Sequence, residues 1–143
     1  MKTVQELLGT KGREVWTVGP DASVREALSL MAVKDVGALV VTRDHRIVGV
    51  ISERDYARKV IIHGQSSLET LVGDVMAREP CCVKPDQTIA DCMALMTDKH
   101  IRHLPVLDGD RLAGVLSIGD LVKSIIGAQE SKINELEGLI YGA

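Results

Sequence analysis

The chain has 143 residues, of which 45% are hydrophobic and 26% charged, a composition that suits one compact unit or two small, mutually dependent halves. Aromatic residues make up only 2% and the formal net charge is -3, which argues against a nucleic-acid partner and against binding to an anionic membrane. No apolar run approaches the roughly 18 residues of a membrane span, and the N-terminal segment lacks the pattern of a signal peptide.

The first half of the chain predicts the order strand, helix, strand, strand, helix. Trp16-Thr17-Val18 is a short strand that the turn Gly19-Pro20-Asp21 ends. Ser23 and Glu26 have the spacing of a capping box at the start of a helix. The apolar residues of this helix recur at helical spacing: Val24, Ala27, Leu28 and Met31. Two strands around residues 38–41 and 47–51 follow, and a second helix begins near Glu53.

The second half repeats the first. A shift of 65 positions aligns residues 15–60 with residues 80–125 without a gap, and 13 of the aligned positions are identical. The copy has its own capping-box pair, Thr88 with Asp91, and its own hairpin around Asp108-Gly109-Asp110. We therefore predict an α+β (mixed α/β) fold of two β-α-β-β-α repeats related by a pseudo-twofold axis.

The domain bounds follow from the repeat. We predict a first repeat over residues 1–65, a second over 66–127 and a C-terminal helical tail over 128–143. The end of the connector 66–76 resembles the lead-in segment Val4–Leu8, so each repeat extends upstream of its first strand. Three more residues separate the lead-in from the first strand in copy one than in copy two.

The string Gly-x-x-Ser-x-x-Asp occurs at the end of the third strand in both copies. It places Ser52 three residues before Asp55, and Ser117 three residues before Asp120. A serine at such a junction can donate to a phosphate or ribose oxygen, and the aspartate can accept from ribose hydroxyls. The alternative is structural, with the serine capping the helix and the aspartate stabilising its first turn.

A basic pair, Arg102-His103, directly precedes the second strand of copy two. It could direct positive charge and hydrogen-bond donors at a phosphate. Copy one has Gly37-Ala38 at the same place, so the pair is not needed merely to build the fold. The alternative is an exposed basic pair at a strand end.

The repeats, the string Arg102-His103-Leu104-Pro105-Val106 and both Gly-x-x-Ser-x-x-Asp strings together resemble the CBS-domain (cystathionine-β-synthase-type) family over residues 4–126. The resemblance implies a disc-like module whose two clefts bind an adenine nucleotide as a regulatory ligand. AMP, ADP, ATP and NAD are the candidates, with S-adenosylmethionine less favoured. It further implies a homodimer that acts as an energy or redox sensor on a partner protein whose identity the sequence does not reveal.

In the family, each cleft combines the Ser-x-x-Asp of one repeat with the first strand of the other. Carried over by position, the first cleft contains Thr17, Ala22, Arg102, His103, Ser117 and Asp120. The second contains Ser52, Arg54 and Asp55, together with Cys82 and Gln87. Because Cys82 replaces the Thr17 hydroxyl and copy one lacks a basic pair, we predict unequal clefts, with the first as the better nucleotide site.

The cysteines Cys81, Cys82 and Cys92 are odd in number, which indicates a reducing compartment, and we predict a cytoplasmic location. Cys81 or Cys82 could act as a nucleophile with His103 as its base, but nothing in the sequence holds them together. The histidines show no metal-ligand spacing with the cysteines. We predict no enzymatic activity and no metal site. A structural interaction module with vestigial clefts remains the alternative function.

The C-terminal tail carries an apolar stripe of Ile133, Leu136 and Ile140 at helical spacing. The tail therefore either folds back on its own module or packs on a neighbour, and we favour a dimer contact. Gly138 weakens such a helix by about 1 kcal/mol relative to alanine.

Overall fold

The computed structural model describes residues 2–141 and the side chains of residues 2–139. The first part of the chain forms α1 (Val4–Lys11), β1 (Thr17–Val18), α2 (Val24–Lys34), β2 (Ala38–Arg43), β3 (Arg46–Ser52), α3 (Glu53–Asp55) and a π-helix (Tyr56–Ile61). The second part forms α4 (Val72–Val75), β4 (Ala77–Arg78), α5 (Ile89–Lys99), β5 (His103–Asp108), β6 (Arg111–Ser117) and α6 (Ile118–Tyr141). The prediction of a mixed α+β fold built from two repeats is confirmed.

The strands form two sheets. In the four-stranded sheet β1-β2-β3-β4, β1 is parallel to β2 and the other neighbours are antiparallel. In the second sheet β5 and β6 pair antiparallel, and the first strand predicted for copy two is reduced to a parallel bridge between Val83 and Val106. Extending this bridge towards Cys81 would need an N–H from residue 105, which is proline and has none.

The two copies share fine details of geometry. The hairpin register shifts between Val41 and Thr42 in one copy and between Val106 and Leu107, the corresponding positions, in the other. Both capping serine and threonine side chains accept the expected backbone hydrogen bond, Ser23 from Glu26 and Thr88 from Asp91. At these two helix starts, only that of α5 completes a reciprocal capping box, with Thr88 N donating to the Asp91 carboxylate at 3.0 Å.

Each lead-in helix is buried in the core of the other repeat. Val4, Leu7 and Leu8 of α1 pack with apolar residues of positions 83–121. Val72 and Val75 of α4 pack with apolar residues of positions 24–60. Each repeat therefore completes its core with the lead-in helix of the other repeat. This exchange of lead-in helices explains how units of this size cover their apolar faces.

Equivalent backbone hydrogen bonds hold each lead-in helix against the other repeat. Val4 N donates to Gln87 O at 2.8 Å, and Val72 N donates to Ala22 O at 2.9 Å. Residues 22 and 87 are 65 positions apart, like the repeats, whereas residues 4 and 72 are 68 apart. The extra three positions are the difference in lead-in length that the sequence shows. None of the helices within residues 2–141 is long and apolar enough to cross a membrane.

A glycine in each third strand lies against the exchanged lead-in, which gives a matched pair of test sites. A Cβ on Gly49 would lie 2.7 Å from the backbone oxygen of Ala77, whereas one on Gly114 would lie 2.7 Å from the flexible end of Leu8. We expect Gly49→Ala to destabilise the protein by about 1–3 kcal/mol, because β4 must move, and Gly114→Ala by less. Urea unfolding measures both. Gly9→Ala is the control, since its Cβ meets nothing within 4 Å, and because Gly9 lies within α1 this change should stabilise the protein by about 1 kcal/mol or less. A Gly114→Ala cost equal to that of Gly49→Ala would contradict the explanation.

Candidate functional site

Two clefts lie where the strand ends of one repeat face the strand starts of the other. Cleft A is a cavity of about 630 Å³ lined by residues 11–16 and 34–38 together with His103, Val115, Ser117 and Asp120. Cleft B is a smaller cavity of about 170 Å³ lined by Val50, Ser52, Arg54, Asp55, Arg58, Ala77, Pro80, Cys81 and residues 100–103. Most lining positions of cleft A have a lining counterpart in cleft B at a distance of 65 residues, so the clefts are related by the repeat.

The structure regroups part of the predicted sites. Ser117 and Asp120 face copy one, as the resemblance implies, and Ser52, Arg54 and Asp55 face copy two. Arg102, however, lines cleft B rather than cleft A. It precedes β5 of the second repeat, and the same repeat supplies Pro80 and Cys81 to cleft B. The basic pair is thus divided, since only its second member, His103, lines both clefts.

Four residues carried over from the family's first strand lie away from these linings. In cleft A the lining residue of the first strand region is Trp16 rather than Thr17, and Ala22 packs against the core of copy one. Cys82 lines a separate cavity of about 420 Å³ with Val83 and Leu107, among others, and the described lining of cleft B does not include Gln87. Direct ligand contacts by Thr17 and Ala22 therefore stay predictions.

Asp120 in cleft A is held by a lysine from the other repeat. Its Oδ2 accepts from Ser117 N at 2.8 Å and lies 2.7 Å from Lys11 Nζ, which also donates to the carbonyl oxygen of Val115. Burial alone would raise the pKa of Asp120, but the hydrogen bonds and positive charge of Lys11 and the hydrogen bonds of Ser117 outweigh it and lower the pKa. None of the described contacts uses Oδ1, so the carboxylate keeps capacity to accept from a ligand.

Asp55 in cleft B is held within its own helix. Its Oδ2 accepts from Ser52 N at 2.9 Å and from Ser52 Oγ at 3.1 Å, and Lys59 Nζ lies 3.3 Å from Oδ1. Ser52 and Asp55 form a reciprocal capping box, so the structural role considered for these residues is present. The cap does not exclude ligand binding, because a carboxylate has about four acceptor positions.

His103 forms the wall between the two clefts. A Cβ on Gly37 of cleft A would lie 3.6 Å from His103 Nε2, an ordinary contact distance, so the two repeats approach each other closely at this wall. Burial lowers the pKa of His103, and the nearby charge of Lys11 lowers it further, while Asp120 acts in the opposite direction. The imidazole is therefore neutral near pH 7 and can serve as both donor and acceptor.

Three arginines converge on cleft B. Arg54, Arg58 and Arg102 all line it, and Asp55 is the only carboxylate among its lining residues. The pKa of Arg54 is lowered by the positive charge of Arg58 and then by that of Arg102. Like charges gathered without a matching number of carboxylates repel one another, so this end of the cleft carries an excess of positive charge.

Two features of cleft A were missed from the sequence. Trp16 lines the cleft with its indole, and Lys34 Nζ lies 4.1 Å from the ring centroid in a cation–π contact. Lys11 reaches Asp120 because α1 runs on to residue 11, whereas its counterpart α4 ends at Val75. The longer lead-in of copy one was the available indication, since residues 11–14 of that segment line only the larger cleft.

The structure offers little support for a cysteine nucleophile. Cys81 and His103 both line cleft B, but no hydrogen bond joins them among the described contacts, and Cys82 lies in a different cavity. Burial raises the pKa of the Cys82 thiol, and burial raises that of Cys92 to about 11, so both favour the unreactive thiol form. Within the described residues, no group of His, Cys, Asp and Glu side chains is arranged to hold a metal ion.

Replacing Lys11 by methionine should shift the acid sensitivity of folding. Because the native pKa of Asp120 is lowered below 3.8, this carboxylate stabilises the fold above that pH and the contribution is lost as the pH falls through the native value. Without Lys11, only the Ser117 hydrogen bonds oppose the effect of burial, so the pKa of Asp120 should be higher than in the wild type. Stability should therefore decline from a higher pH, with a loss of about 1 kcal/mol or less near pH 7 for this partly exposed pair.

Urea unfolding at a series of pH values measures the effect of Lys11→Met. Lys84→Met, which removes an exposed ammonium that forms none of the described ion pairs, is the matched control. Acid limbs that coincide for wild type and Lys11→Met would show that Lys11 does not hold the carboxylate.

Comparison with known proteins agrees with this architecture. A sequence model of the CBS domain matches residues 6–62 and again residues 72–127. The chain is 35% identical to the CBS domain-containing protein CBSX3, mitochondrial, of Arabidopsis thaliana over 98% of its length and 72% of the relative's. It is 33% identical to the CBS domain-containing protein YhcV of Bacillus subtilis, over 85% of this chain and 84% of that protein.

Solved structures show the same fold. A protein with CBS domains from Burkholderia ambifaria superposes with a TM-score of 0.86 at 46% identity, covering 90% of this chain and 96% of that one. With each repeat matched separately and the whole fold shared, the chain belongs to the CBS-domain family and carries two CBS domains in tandem.

Proposed function

We propose that the chain is a non-catalytic regulatory module for a phosphate-bearing adenine nucleotide, with the adenosine in cleft A and the phosphates directed past His103 towards the arginines of cleft B. CBS-domain pairs are generally regulatory and bind nucleotides. The proposal adds an orientation for the ligand and a requirement for phosphate, both supported by how size and charge are divided between the clefts.

The size of cleft A supports placing the adenosine there. Its volume of about 630 Å³ falls within the roughly 300–1,000 Å³ of small-molecule sites, whereas the 170 Å³ of cleft B is too small for a whole nucleotide. Trp16 and Val36 supply an apolar wall for the base. The Asp120 carboxylate can accept from the ribose hydroxyls, as acidic residues do in dinucleotide-binding folds.

The charge of cleft B supports placing the phosphates there. In cleft A the cations Lys11, Arg13 and Lys34 are matched by three carboxylates, those of Glu14, Asp35 and Asp120. In cleft B the three guanidinium groups face Asp55 alone. This arginine cluster is the observation that carries the proposal, because guanidinium groups bind phosphate through paired hydrogen bonds.

The same cluster ranks the candidate ligands. ATP and ADP extend a phosphate chain, NAD offers a pyrophosphate, and AMP offers a single phosphate. S-adenosylmethionine carries a positively charged sulfonium and should be the poorest fit. Arg102 lies in cleft B and not beside Asp120, which supports a ligand to which both clefts contribute. The superiority of the first cleft as a separate site stays a prediction.

Titration calorimetry tests the proposed function. We expect affinity to rise from adenosine through AMP to ADP and ATP, and inorganic triphosphate to bind more weakly than ATP because it cannot fill cleft A. If no adenine ligand binds below millimolar concentration, the clefts are vestigial and the chain is a structural interaction module. If S-adenosylmethionine binds as tightly as ATP, phosphate is not what the site selects.

Regulation requires that binding change the protein. Ligand present at 100 times its dissociation constant stabilises the bound form by about 2.7 kcal/mol, which is enough to shift a conformational or association equilibrium. We propose that this shift acts on a partner protein as an energy or redox signal. Since His103 and Gly37 join the repeats at the wall between the clefts, occupation there would alter how the repeats pack.

A further inference from the structure

The C-terminal half of α6 extends beyond the packed part of the second repeat. Leu121 is fully buried in the core of that repeat, but residues 125–137 are all exposed. A helical segment as short as residues 125–137 is marginal in water without a packing partner. Gly127 weakens this segment by about 1 kcal/mol relative to alanine. The exposed part of α6 therefore needs a partner to hold it in helical form.

The exposed face of this helix has the spacing of a coiled coil. Val122, Ile126, Ile133 and Leu136 remain 41%, 48%, 53% and 50% exposed. With Gln129 between them, the positions advance by four, three, four and three residues, which is the a/d repeat of a heptad. Ile126 and Ile133 occupy a positions, and Val122 and Leu136 occupy d positions. The stripe predicted in the tail thus begins earlier, within the second repeat; the side chain of Ile140, at its predicted end, lies outside the described residues.

Charge and shape select the occupant of this face. In a parallel pair of identical helices, a g residue lies next to the e residue of the following heptad on the partner, and here these are Lys132 and Glu137, which attract. An antiparallel pair with Ile133 against Leu136 would instead bring Glu130 close to Glu137, which repel. In the heptad of Ile133 and Leu136, isoleucine at a with leucine at d also favours parallel two-stranded pairing.

We propose that residues 122–137 of α6 form a parallel two-stranded coiled coil with the same segment of a second copy of this chain. The pairing attaches two CBS-domain pairs side by side at the start of the coil. It does not depend on nucleotide binding, since the residues of the seam lie outside both clefts.

Analytical ultracentrifugation of the full chain tests the coiled coil. Wild type should sediment with twice the chain mass at micromolar concentration. Ile133→Glu with Leu136→Glu should raise the dimer dissociation constant at least about 100-fold, because each chain places two charges in the shared apolar seam. The matched control, Ser131→Glu with Asn134→Glu, adds the same charges at outer positions of the helix and should leave the dimer intact. A monomeric wild type, or a seam variant that dimerises like the control, would overturn the proposal.

A charge swap tests the parallel orientation without disturbing the seam. Lys132→Glu alone should weaken the dimer several-fold, because it faces Glu137 of the partner helix, and Lys132→Glu combined with Glu137→Lys should restore it. Equal dissociation constants for the single and the combined variant would exclude parallel pairing. Circular dichroism of each variant confirms that the repeats remain folded.

Discussion

Replacing Leu8 by alanine should destabilise the protein by about 2–5 kcal/mol, although Leu8 lies in a short helix near the N-terminus. Only 1% of this residue is exposed, and it belongs to the core built by positions 83–121. Its end packs where a Cβ on Gly114 would lie, so the neighbours on that side are rigid strand backbone and the cavity cannot collapse easily. For a chain of this length the melting temperature should fall by roughly 5–20 °C.

The location of the damage is more informative than its size. Because α1 is exchanged, hydrogen exchange in Leu8→Ala should increase first in β5 and β6 of the second repeat rather than in β2 and β3 of the first. Leu68→Ala is the control, since Leu68 is 63% exposed in the connector and should cost less than about 0.5 kcal/mol. Faster hydrogen exchange confined to the first repeat would contradict the packing of each lead-in helix in the core of the other repeat.

The exchange of lead-in helices is a feature that the sequence could not predict. The repeat of 65 positions predicted the element order, the hairpins and the caps, because these depend on contacts between residues close in sequence. It also showed that the lead-in belongs to the repeat unit. It could not show that Val4 and Leu8 pack in the other copy, since either copy offers an apolar core of the same composition. The domain division at residue 65 therefore stays a prediction about sequence, while the cores are shared across it.

The candidate site shows the same limit. The Ser-x-x-Asp pairs were recognisable because their geometry is local: serine, aspartate and helix start lie within four residues. The placement of Arg102 was not, because its cleft depends on which strand ends meet across the pseudo-twofold axis. Lys11 was overlooked for a similar reason, since its partner Asp120 is 109 positions away in the chain and nothing local pairs them. Site residues that act across a repeat interface need the three-dimensional arrangement.

The arginine cluster gives the second large effect. Arg54→Gln combined with Arg102→Gln should weaken ATP binding by about 100-fold, because removing each charge-assisted hydrogen bond to phosphate costs roughly tenfold in affinity. Adenosine should bind the double variant as it binds wild type, because it sits in cleft A with Trp16 and Asp120. Asp120→Asn should instead weaken the binding of both ligands by a similar factor. Calorimetry with the two ligands separates these patterns.

The unliganded stability of the same variant distinguishes a binding cluster from a structural one. Arg54 is crowded by Arg58 and Arg102, so removing two of the three charges relieves repulsion and should leave the melting temperature of the free protein unchanged or slightly raised. Arg46→Gln with Arg111→Gln is the matched control, because these arginines occupy equivalent exposed hairpin positions outside both clefts. A cluster that served folding would give the opposite result, with a lower melting temperature and an unchanged preference for ATP over adenosine. If the arginines serve phosphate binding, the variant should bind ATP more weakly while the free protein remains as stable as the wild type. The reason is that repulsion among the three guanidinium groups is relieved only when an anion binds between them.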